Sequence, residues 1–357
     1  MVRAAIITLL ALPALLGLSA CTRQVAVEPF AESRTPPDLG PRFMAPEGWA
    51  WGYVKVGSRP TQRYGVAGTS HAPSATVVIV PGYGETAETW FETVGDLNRR
   101  GYTVWVLDRA GQGGSGRYTL PRDLGHVPSF DADVAGLTAL VRVVIRPSPA
   151  SPVVLLSHAD GAVVALRAAE TGLRVGGVIA SSPRIASTST ESARGLAQQF
   201  PFMDRLPSRG WRPWTRSAAD DWKRGRTHDR WRGGVTHAWQ TANPDLRLSG
   251  KSLGWRGAFT TASVAADLQA GAIKAPILMI TPGPASQTLQ ALCGRAADCV
   301  IRPQTGAMPS LHLESEAWRR PWMAAVSGLS RTRSLPPPRR RITLCNIAFQ
   351  RRDAWLG

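Results

Sequence analysis

The chain has 357 residues, of which 43% are hydrophobic and 19% are charged. This composition is typical of a globular protein and excludes a disordered one. Lysine and arginine number 42 against 25 aspartates and glutamates, a formal net charge of +17 at pH 7. Because the sequence contains no nucleic-acid-binding motif, we expect no nucleic-acid partner and interpret the charge as suited to an anionic membrane surface. Nonspecific surface charge is the alternative.

Residues 1–20 predict a lipoprotein signal peptide. A basic start is followed by an apolar segment at 4–18 that is too short for an ordinary membrane-spanning helix. It ends in Leu-Ser-Ala-Cys at 18–21, which resembles the lipobox of bacterial lipoproteins. This resemblance implies lipidation of Cys21 and therefore a membrane partner, in a bacterial cell envelope and facing the periplasm, on the outer or inner membrane. The alternative is a secreted protein with a chance cysteine.

Residues 21–48 are polar and rich in proline, which predicts a lipid-anchored tether. Of the later cysteines, Cys293 and Cys299 are close enough in sequence to form a disulfide in an extracytoplasmic compartment, and Cys345 is left over. A metal pair is the alternative. Because no other ligands with suitable spacing accompany these cysteines, we expect no metal and no cofactor.

From Trp49 onwards, strand patterns alternate with helix patterns. The run at 76–80 is continuous and β-branched, as in a buried strand, and a helix pattern at 87–99 follows it. The alternation continues through strands at 102–107, 153–156, 175–180, 275–280 and 299–302, with helices at 130–145, 161–170 and 315–329. It predicts the α/β fold class, with a doubly wound, mostly parallel sheet and helices on both faces.

The strand at 153–156 leads into a tight turn of small residues and an Ala- and Val-rich helix pattern. This is the layout of a nucleophile elbow, a strained strand-to-helix turn of the form G-x-S-x-G. The five positions read Ser-His-Ala-Asp-Gly at 157–161. The central position, where a nucleophile should stand, is therefore Ala159.

Several motifs in order resemble the α/β-hydrolase family, in its lysophospholipase and monoacylglycerol-lipase (serine aminopeptidase S33-type) branch. Residues 81–85 are similar to the family's H-G-x-G-E loop, and residues 108–117 to its D-x-R-G-Q-G-x-S-G-R loop. The resemblance implies an α/β-hydrolase fold with an inserted helical cap. The core comprises 49–183 and 266–330, the cap comprises 184–265, and a basic, Pro-rich tail follows at 331–357.

The resemblance also implies the roles of several groups. The backbone N–H groups of Tyr83 and Asp160 would form the oxyanion hole. The family's catalytic acid would lie in the loop 281–287, which contains no carboxylate, and its histidine would fall at Pro309. Nucleophile, acid and base positions are thus all substituted.

These substitutions predict a membrane-anchored, catalytically degenerate hydrolase that binds an acyl chain or a lysophospholipid. One alternative is an active ester hydrolase with relocated catalytic residues, for which the candidates are Ser157, His158, Asp160 and His312. A second alternative is an envelope scaffold or partner-binding protein. Whether the chain is an enzyme is left open at this point.

Overall fold

The computed structural model describes residues 29, 32–69, 73–149, 151–186, 201–208 and 211–332. The predicted signal peptide, Cys21 and nearly all of the tail 331–357 lie outside the described residues. Residues 187–200 of the predicted cap also lie outside them.

A mixed sheet of eight strands forms the centre of the described part of the chain. The strands are β1 (Ala50–Val54), β2 (Gln62–Ala67), β3 (Ala75–Val80), β4 (Tyr102–Leu107), β5 (Val153–His158), β6 (Gly177–Ser181), β7 (Ile277–Thr281) and β8 (Cys299–Pro303). Their order is β1-β2-β4-β3-β5-β6-β7-β8, and all neighbours are parallel except β1 with β2 and β2 with β4. The predicted fold class is confirmed.

The strand β2 is not predicted from the sequence. This strand lies second from the sheet edge and pairs antiparallel on both sides. Its sequence Gln-Arg-Tyr-Gly-Val-Ala contains a charged residue and a glycine, which weaken a strand pattern. The buried Arg63 is stabilised by partners that are distant in sequence, since its Nη2 lies 2.6 Å from Asp108 and 2.8 Å from Glu88.

Helices cover the sheet and close two hydrophobic cores. They are α1 (Phe91–Asn98), α2 (Asp131–Ala139, continued by a π-helical turn at Leu140–Ile145), α3 (Gly161–Glu170), α4 (Arg230–Gly233), α5 (Val235–Ala242), α6 (Leu253–Leu268), α7 (Gln287–Arg295) and α8 (Glu316–Thr332). One core contains side chains of α2, α3 and α6, and the other contains Trp90, Leu97 and Trp322 from the opposite layer. Because β3, β5, β6 and β7 are buried between these layers, their sequences are nearly continuous apolar runs, whereas β8 at the sheet edge is largely exposed.

The inserted region after β6 leads into a long helix. Residues 253–268 form one helix that packs on α3, so the cap boundary predicted at 265 falls inside α6. The short helices α4 and α5, two 3₁₀ helices at Pro201–Arg205 and Pro244–Leu246, and irregular segments lie before it in the described part of this insertion.

Part of the predicted tether contacts the domain. Arg34 N–H donates to Asn243 Oδ1 over 2.7 Å, and Asn243 Nδ2 donates back to Arg34 O over 2.9 Å. Phe43 is 5% exposed and packs in a small cluster with Phe91 and Trp239. The described residues up to 48 therefore lie against the folded domain instead of spanning a gap.

The strand order places one crevice at the centre of the sheet. β3 neighbours both β4 and β5, so the chain leaves β3 and β5 in opposite lateral directions. Ligands of open α/β sheets bind where the strand order reverses, outside the carboxyl ends of the strands. The loop at 82–86 follows β3 and the turn at 159–160 follows β5, so both lie at this crevice.

Candidate functional site

The strand-to-helix turn has the geometry of an elbow although its central residue is alanine. Ala159 has a φ of +48°, which is a left-handed conformation that L-residues other than glycine rarely adopt. Its N–H donates to Ser181 O over 3.1 Å, and α3 begins two residues later at Gly161. The turn is therefore held in the strained form that would present a nucleophile, but it presents a methyl group.

One of the two donors of the predicted oxyanion hole is used by a carboxylate of the protein. Tyr83 N–H donates to Asp160 Oδ1 over 3.0 Å, and the other carboxylate oxygen lies 2.5 Å from Arg109 Nη1. Arg109 also contacts Asp133 at 3.3 Å, and all three charged side chains are buried. Burial would raise the pKa of Asp160, but Arg109 and the Tyr83 N–H hold it below its ordinary value. Asp160 is therefore an anion that already uses the donor meant for a substrate oxyanion.

A second buried ion pair lies beside the elbow. His158 Nδ1 is 2.6 Å from Glu85 Oε1, and His158 Nε2 donates to Pro309 O over 3.1 Å. Burial would raise the pKa of Glu85, yet the neighbouring histidines and the Gly82 N–H lower it to about 2. Burial would lower the pKa of His158, but Glu85 raises it above the ordinary value. The pair is therefore an imidazolium and a carboxylate.

Glu85, His158 and His312 offer three buried ligand atoms within 4.8 Å of one another, a cluster that could hold a metal ion. Two ligands of a tetrahedral zinc ion stand roughly 3.3 Å apart, given bonds of about 2.0–2.1 Å. The 2.6 Å contact between His158 Nδ1 and Glu85 Oε1 is shorter than this and fits an ion pair. A metal ion would require these two atoms to separate. The sequence predicts no metal, and no motif in it indicates this cluster.

The three triad positions lie together without the chemistry of a triad. Pro309, at the histidine position, contributes only its carbonyl, which accepts from His158. The loop 281–287 follows β7 as expected and contains no acidic side chain. Ala159, Pro309 and residues 281–284 of this loop line a common cavity.

The relocation candidates are engaged in structural contacts. Ser157 is fully buried, and its hydroxyl donates to Ile179 O over 3.1 Å. Asp160 and His158 are paired as described above. His312 is fully buried and stacks on Trp90 with ring centroids 3.8 Å apart. Burial and the His158 charge lower the pKa of His312 to about 3, against the opposing effect of Glu85, so it is neutral.

The elbow opens into a cavity of about 290 Å³ under the inserted region. Backbone and side chains of the loop after β3, together with His158, Ala159 and Asp160, form its floor. Its walls carry many charged side chains, namely Arg184, Arg224, Arg226, Lys251, Arg256, Asp220 and Asp221. This lining differs from the apolar acyl pocket that the resemblance implies.

A second cavity of about 680 Å³ lies on the other side of Ala159. It is lined largely by apolar side chains, including Pro282, Leu289 and Met308. Ser182 also lines it, with a φ of +45° and a buried hydroxyl that has no hydrogen-bond partner among the described residues. The loops that would supply a catalytic acid and a histidine thus border an apolar space.

Several residues of this site were missed from sequence. Glu85 lies inside the quoted loop 81–85 and Arg109 inside the quoted loop 108–117, but no role was assigned to either. Their partners are far along the chain, with Arg109 and Asp160 separated by 51 residues. Lys251 follows no motif, so its position at the cavity had no sequence signal.

Cys293 and Cys299 form a disulfide that joins α7 to the start of β8. Cys345 lies outside the described residues. None of the helices in the described ranges is long and apolar enough to cross a membrane.

Comparison with known proteins places this architecture in a family context. The model of the family described as serine aminopeptidase, S33, matches residues 71–283. The chain is 35% identical over 88 residues to lysophospholipase L2 of Escherichia coli (strain K12), and this match spans 25% of the chain and 26% of that protein.

Solved structures show the same fold at low identity. A soluble variant of monoglyceride lipase from Saccharomyces cerevisiae superposes with a TM-score of 0.62 at 17% identity, covering 82% of this chain and 100% of that one. The monoacylglycerol lipase of Paleococcus ferrophilus has a TM-score of 0.56 at 20% identity, covering 76% and 98%. The predicted α/β-hydrolase fold is confirmed.

Proposed function

The chain belongs to the serine aminopeptidase S33 family of α/β-hydrolases, and from that premise we propose that it binds an amphiphile without hydrolysing it. In this proposal the fold of a lysophospholipase- or monoacylglycerol-lipase-like hydrolase is kept, and cavities remain beside the elbow. The catalytic groups are lost.

The observation that carries the proposal is the Asp160 carboxylate at the Tyr83 N–H. An oxyanion hole works because its donors are free and preorganised for the charge that develops in the transition state. Here one donor is satisfied in the resting protein by an anion that Arg109 holds in place. A substrate oxyanion would have to displace that carboxylate and stand close to its negative charge.

The missing triad groups act in the same direction. Loss of a serine nucleophile lowers kcat by several orders of magnitude, and the remaining rate comes from the oxyanion hole and from binding. In this chain the oxyanion hole is compromised as well. The nucleophile is therefore absent, and one donor of the predicted oxyanion hole is not available to a substrate.

The two cavities beside Ala159 support binding. One is lined by charged side chains and the other largely by apolar ones, and His158, Ala159, Arg184 and Arg226 border both. Such a pair suits an amphiphile with a polar head and an acyl chain. Relatives named lysophospholipase and monoglyceride lipase favour a lysophospholipid or a monoacylglycerol. A protein that served only as a scaffold would not need these spaces.

The membrane anchor is part of the same proposal. Lipidation of Cys21 would hold the domain at an envelope membrane, where amphiphiles are concentrated. Because the segment 32–48 packs on the domain, it would add little to the length of the linker between Cys21 and the domain. The domain would then lie close to the membrane surface.

A relocated hydrolase is the second candidate, and Ser182 is the observation that favours it. A strained serine with an unpaired, buried hydroxyl beside a cavity has features of a nucleophile. Against this, the adjacent His158 already carries its proton and donates to Pro309 O, so it is not a base.

The test is an assay of the full-length protein in detergent with lysophospholipid, monoacylglycerol and p-nitrophenyl butyrate. We expect no turnover above heat-denatured protein, with saturable lipid binding seen by tryptophan fluorescence. Ala159→Ser should be equally inactive because the hole and the histidine are still missing. Turnover that disappears in Ser182→Ala, Ser157→Ala or Asp160→Asn would overturn the proposal in favour of a relocated site.

A further inference from the structure

Lys251 lies in the cavity wall, where two aromatic rings stabilise its ammonium and burial opposes its charge. Its ammonium lies 3.6 Å from the ring centroid of Trp255 and 4.4 Å from that of Tyr83. Among the described residues it has no carboxylate partner and no hydrogen-bond acceptor. Burial lowers the pKa of Lys251 to about 7, despite the opposing effect of Asp160. A cation kept at such a cost points to a ligand that needs it.

Two arginines add like charge to the same wall. Arg184 and Arg256 line the cavity and lower the pKa of Lys251 further by repulsion. Neither side chain has an ion pair with any residue that the structure describes. The three cations repel one another, Asp160 offsets part of that repulsion, and an anion bound between them would relieve more of it.

The acids of the cavity are committed elsewhere. Glu85 pairs with His158, and Asp160 pairs with Arg109. Asp221 lies 3.6 Å from Arg226, and Asp220 accepts from Lys223 N–H over 2.8 Å. Six cations line the cavity, counting His158, against four acids, so the described lining keeps a net positive charge.

The backbone around Lys251 is fixed to the floor of the cavity. Tyr83 Oη donates to Gly250 O over 2.7 Å, and Ser208 N–H donates to Lys251 O over 2.9 Å. Ser252 caps α6 by accepting from Trp255 N–H over 3.0 Å. These bonds preorganise the position of the lysine, which reduces the ordering cost of binding.

We propose that Lys251, Arg184 and Arg256 bind the phosphate-type oxyanion of an anionic ligand in this cavity. The inference rests on the proposed function and names the ligand class of the same site. It separates two candidate ligands, because a lysophospholipid carries such a group and a monoacylglycerol does not. Guanidinium and ammonium groups are the usual partners of phosphate oxygens, with charge-assisted hydrogen bonds.

The experiment measures binding of three probes to the full-length protein by isothermal titration calorimetry. The probes are octanoyl lysophosphatidylglycerol, octanoylglycerol and inorganic phosphate. A phosphodiester probe is used because its single charge does not change near neutral pH. Lys251→Met and Arg256→Met remove one charge each, Lys251→Arg keeps the charge, and Lys274→Met changes an exposed lysine that lines none of the described cavities.

We expect the phospholipid to bind at least about 10-fold more tightly than the neutral lipid, since one charge-assisted hydrogen bond is worth about 1.5–3 kcal/mol. Lys251→Met and Arg256→Met should each weaken phospholipid binding by about 10-fold and leave octanoylglycerol binding unchanged. Lys251→Arg and Lys274→Met should bind like the unmodified protein. Competition by millimolar phosphate would support a free-phosphate source, and lack of competition a lipid headgroup.

Equal affinity for the two lipids, or no effect of Lys251→Met and Arg256→Met, would overturn this inference while leaving a non-hydrolytic lipid-binding protein. Release of octanoic acid during the titration would instead overturn the proposed function. The two failures therefore have different readouts.

Discussion

At the scale of single residues, the elbow of this protein presents an alanine, and a structural anion follows it. Ala159 keeps the left-handed backbone of the turn, and the following Asp160 links Tyr83 to Arg109. The carboxylate thus stabilises the two loops that an oxyanion hole would leave open. The Tyr83 N–H group that a substrate oxyanion would need is therefore used in a contact within the fold.

Replacing Asp160 should show how much the fold depends on this anion. Asp160→Ala leaves Arg109 buried without one of its two carboxylates, so we expect a loss of about 3–5 kcal/mol in the free energy of unfolding. Asp245→Ala is the matched control, because Asp245 pairs with Arg122 and is 48% exposed. Its loss should stay within about 1 kcal/mol. Urea denaturation measures both, and equal losses would contradict a structural role for Asp160.

The Glu85–His158 pair predicts a pH dependence of stability. The pKa of His158 is raised in the folded state, so this contribution is fully present below about pH 6.5 and is lost as pH rises through the raised value. The pKa of Glu85 is lowered to about 2, so the pair persists down to mildly acidic pH.

Glu85→Gln should therefore destabilise the protein by about 2–4 kcal/mol at pH 5.5 and by clearly less at pH 9. Glu47→Gln, at an exposed glutamate, should have little effect at either pH. Urea midpoints at the two pH values provide the comparison. A loss from Glu85→Gln that is the same at both would show that His158 is not the charged partner.

At the scale of elements, the elbow depends on close contact between α3 and the end of β3. A Cβ on Gly161 would lie 2.5 Å from the carbonyl oxygens of Val80 and Pro81, which are main-chain atoms that cannot move aside cheaply. This crowding explains why the last position of the motif is glycine although its central position is an alanine.

Gly161→Ala should lower the free energy of unfolding by about 2–3 kcal/mol through overpacking. The control is Gly257→Ala in α6, where an added Cβ meets nothing within 4 Å. That change should stabilise the protein by up to about 1 kcal/mol, because alanine is the better helix former. Thermal denaturation of both variants measures the difference in sign, and a stabilising Gly161→Ala would refute the close contact.

Sequence predicted the elements whose signals are local and missed those that depend on distant partners. β3 and β5 are continuous apolar runs, and the elbow is a five-residue pattern, so both were predictable. β2 contains the buried Arg63, whose charge is balanced by Glu88 and Asp108. The cap predicted at 184–265 ends inside α6, whose sequence shows no break at that point. The contacts of Asp160 with Tyr83 and Arg109 connect three separate loops, and no spacing in the sequence indicates these contacts.

At the scale of the whole molecule, the net charge and the proposed membrane anchor would act together. The net charge of +17 would favour an anionic membrane surface, and the cavity adds a local excess of positive charge beside the elbow. A domain tethered by lipid at Cys21 would meet anionic amphiphiles at high local concentration.

Cys21→Ser tests the anchor in a bacterial host. The unmodified protein should fractionate with membranes and incorporate labelled fatty acid, because lipidation needs the Cys21 thiol. Cys345→Ser should behave like the unmodified protein, and Cys21→Ser should lose both properties. Membrane fractionation and label that survive Cys21→Ser would contradict the lipoprotein interpretation.

The central claim is that the protein holds a lipid intact. The most direct measurement is mass spectrometry of full-length protein incubated with octanoyl lysophosphatidylglycerol, quantifying bound lipid and free octanoic acid in the same sample. We predict bound lipid of unchanged mass and no octanoic acid beyond that in a protein-free control. Release of octanoic acid in catalytic excess over the protein would contradict the account.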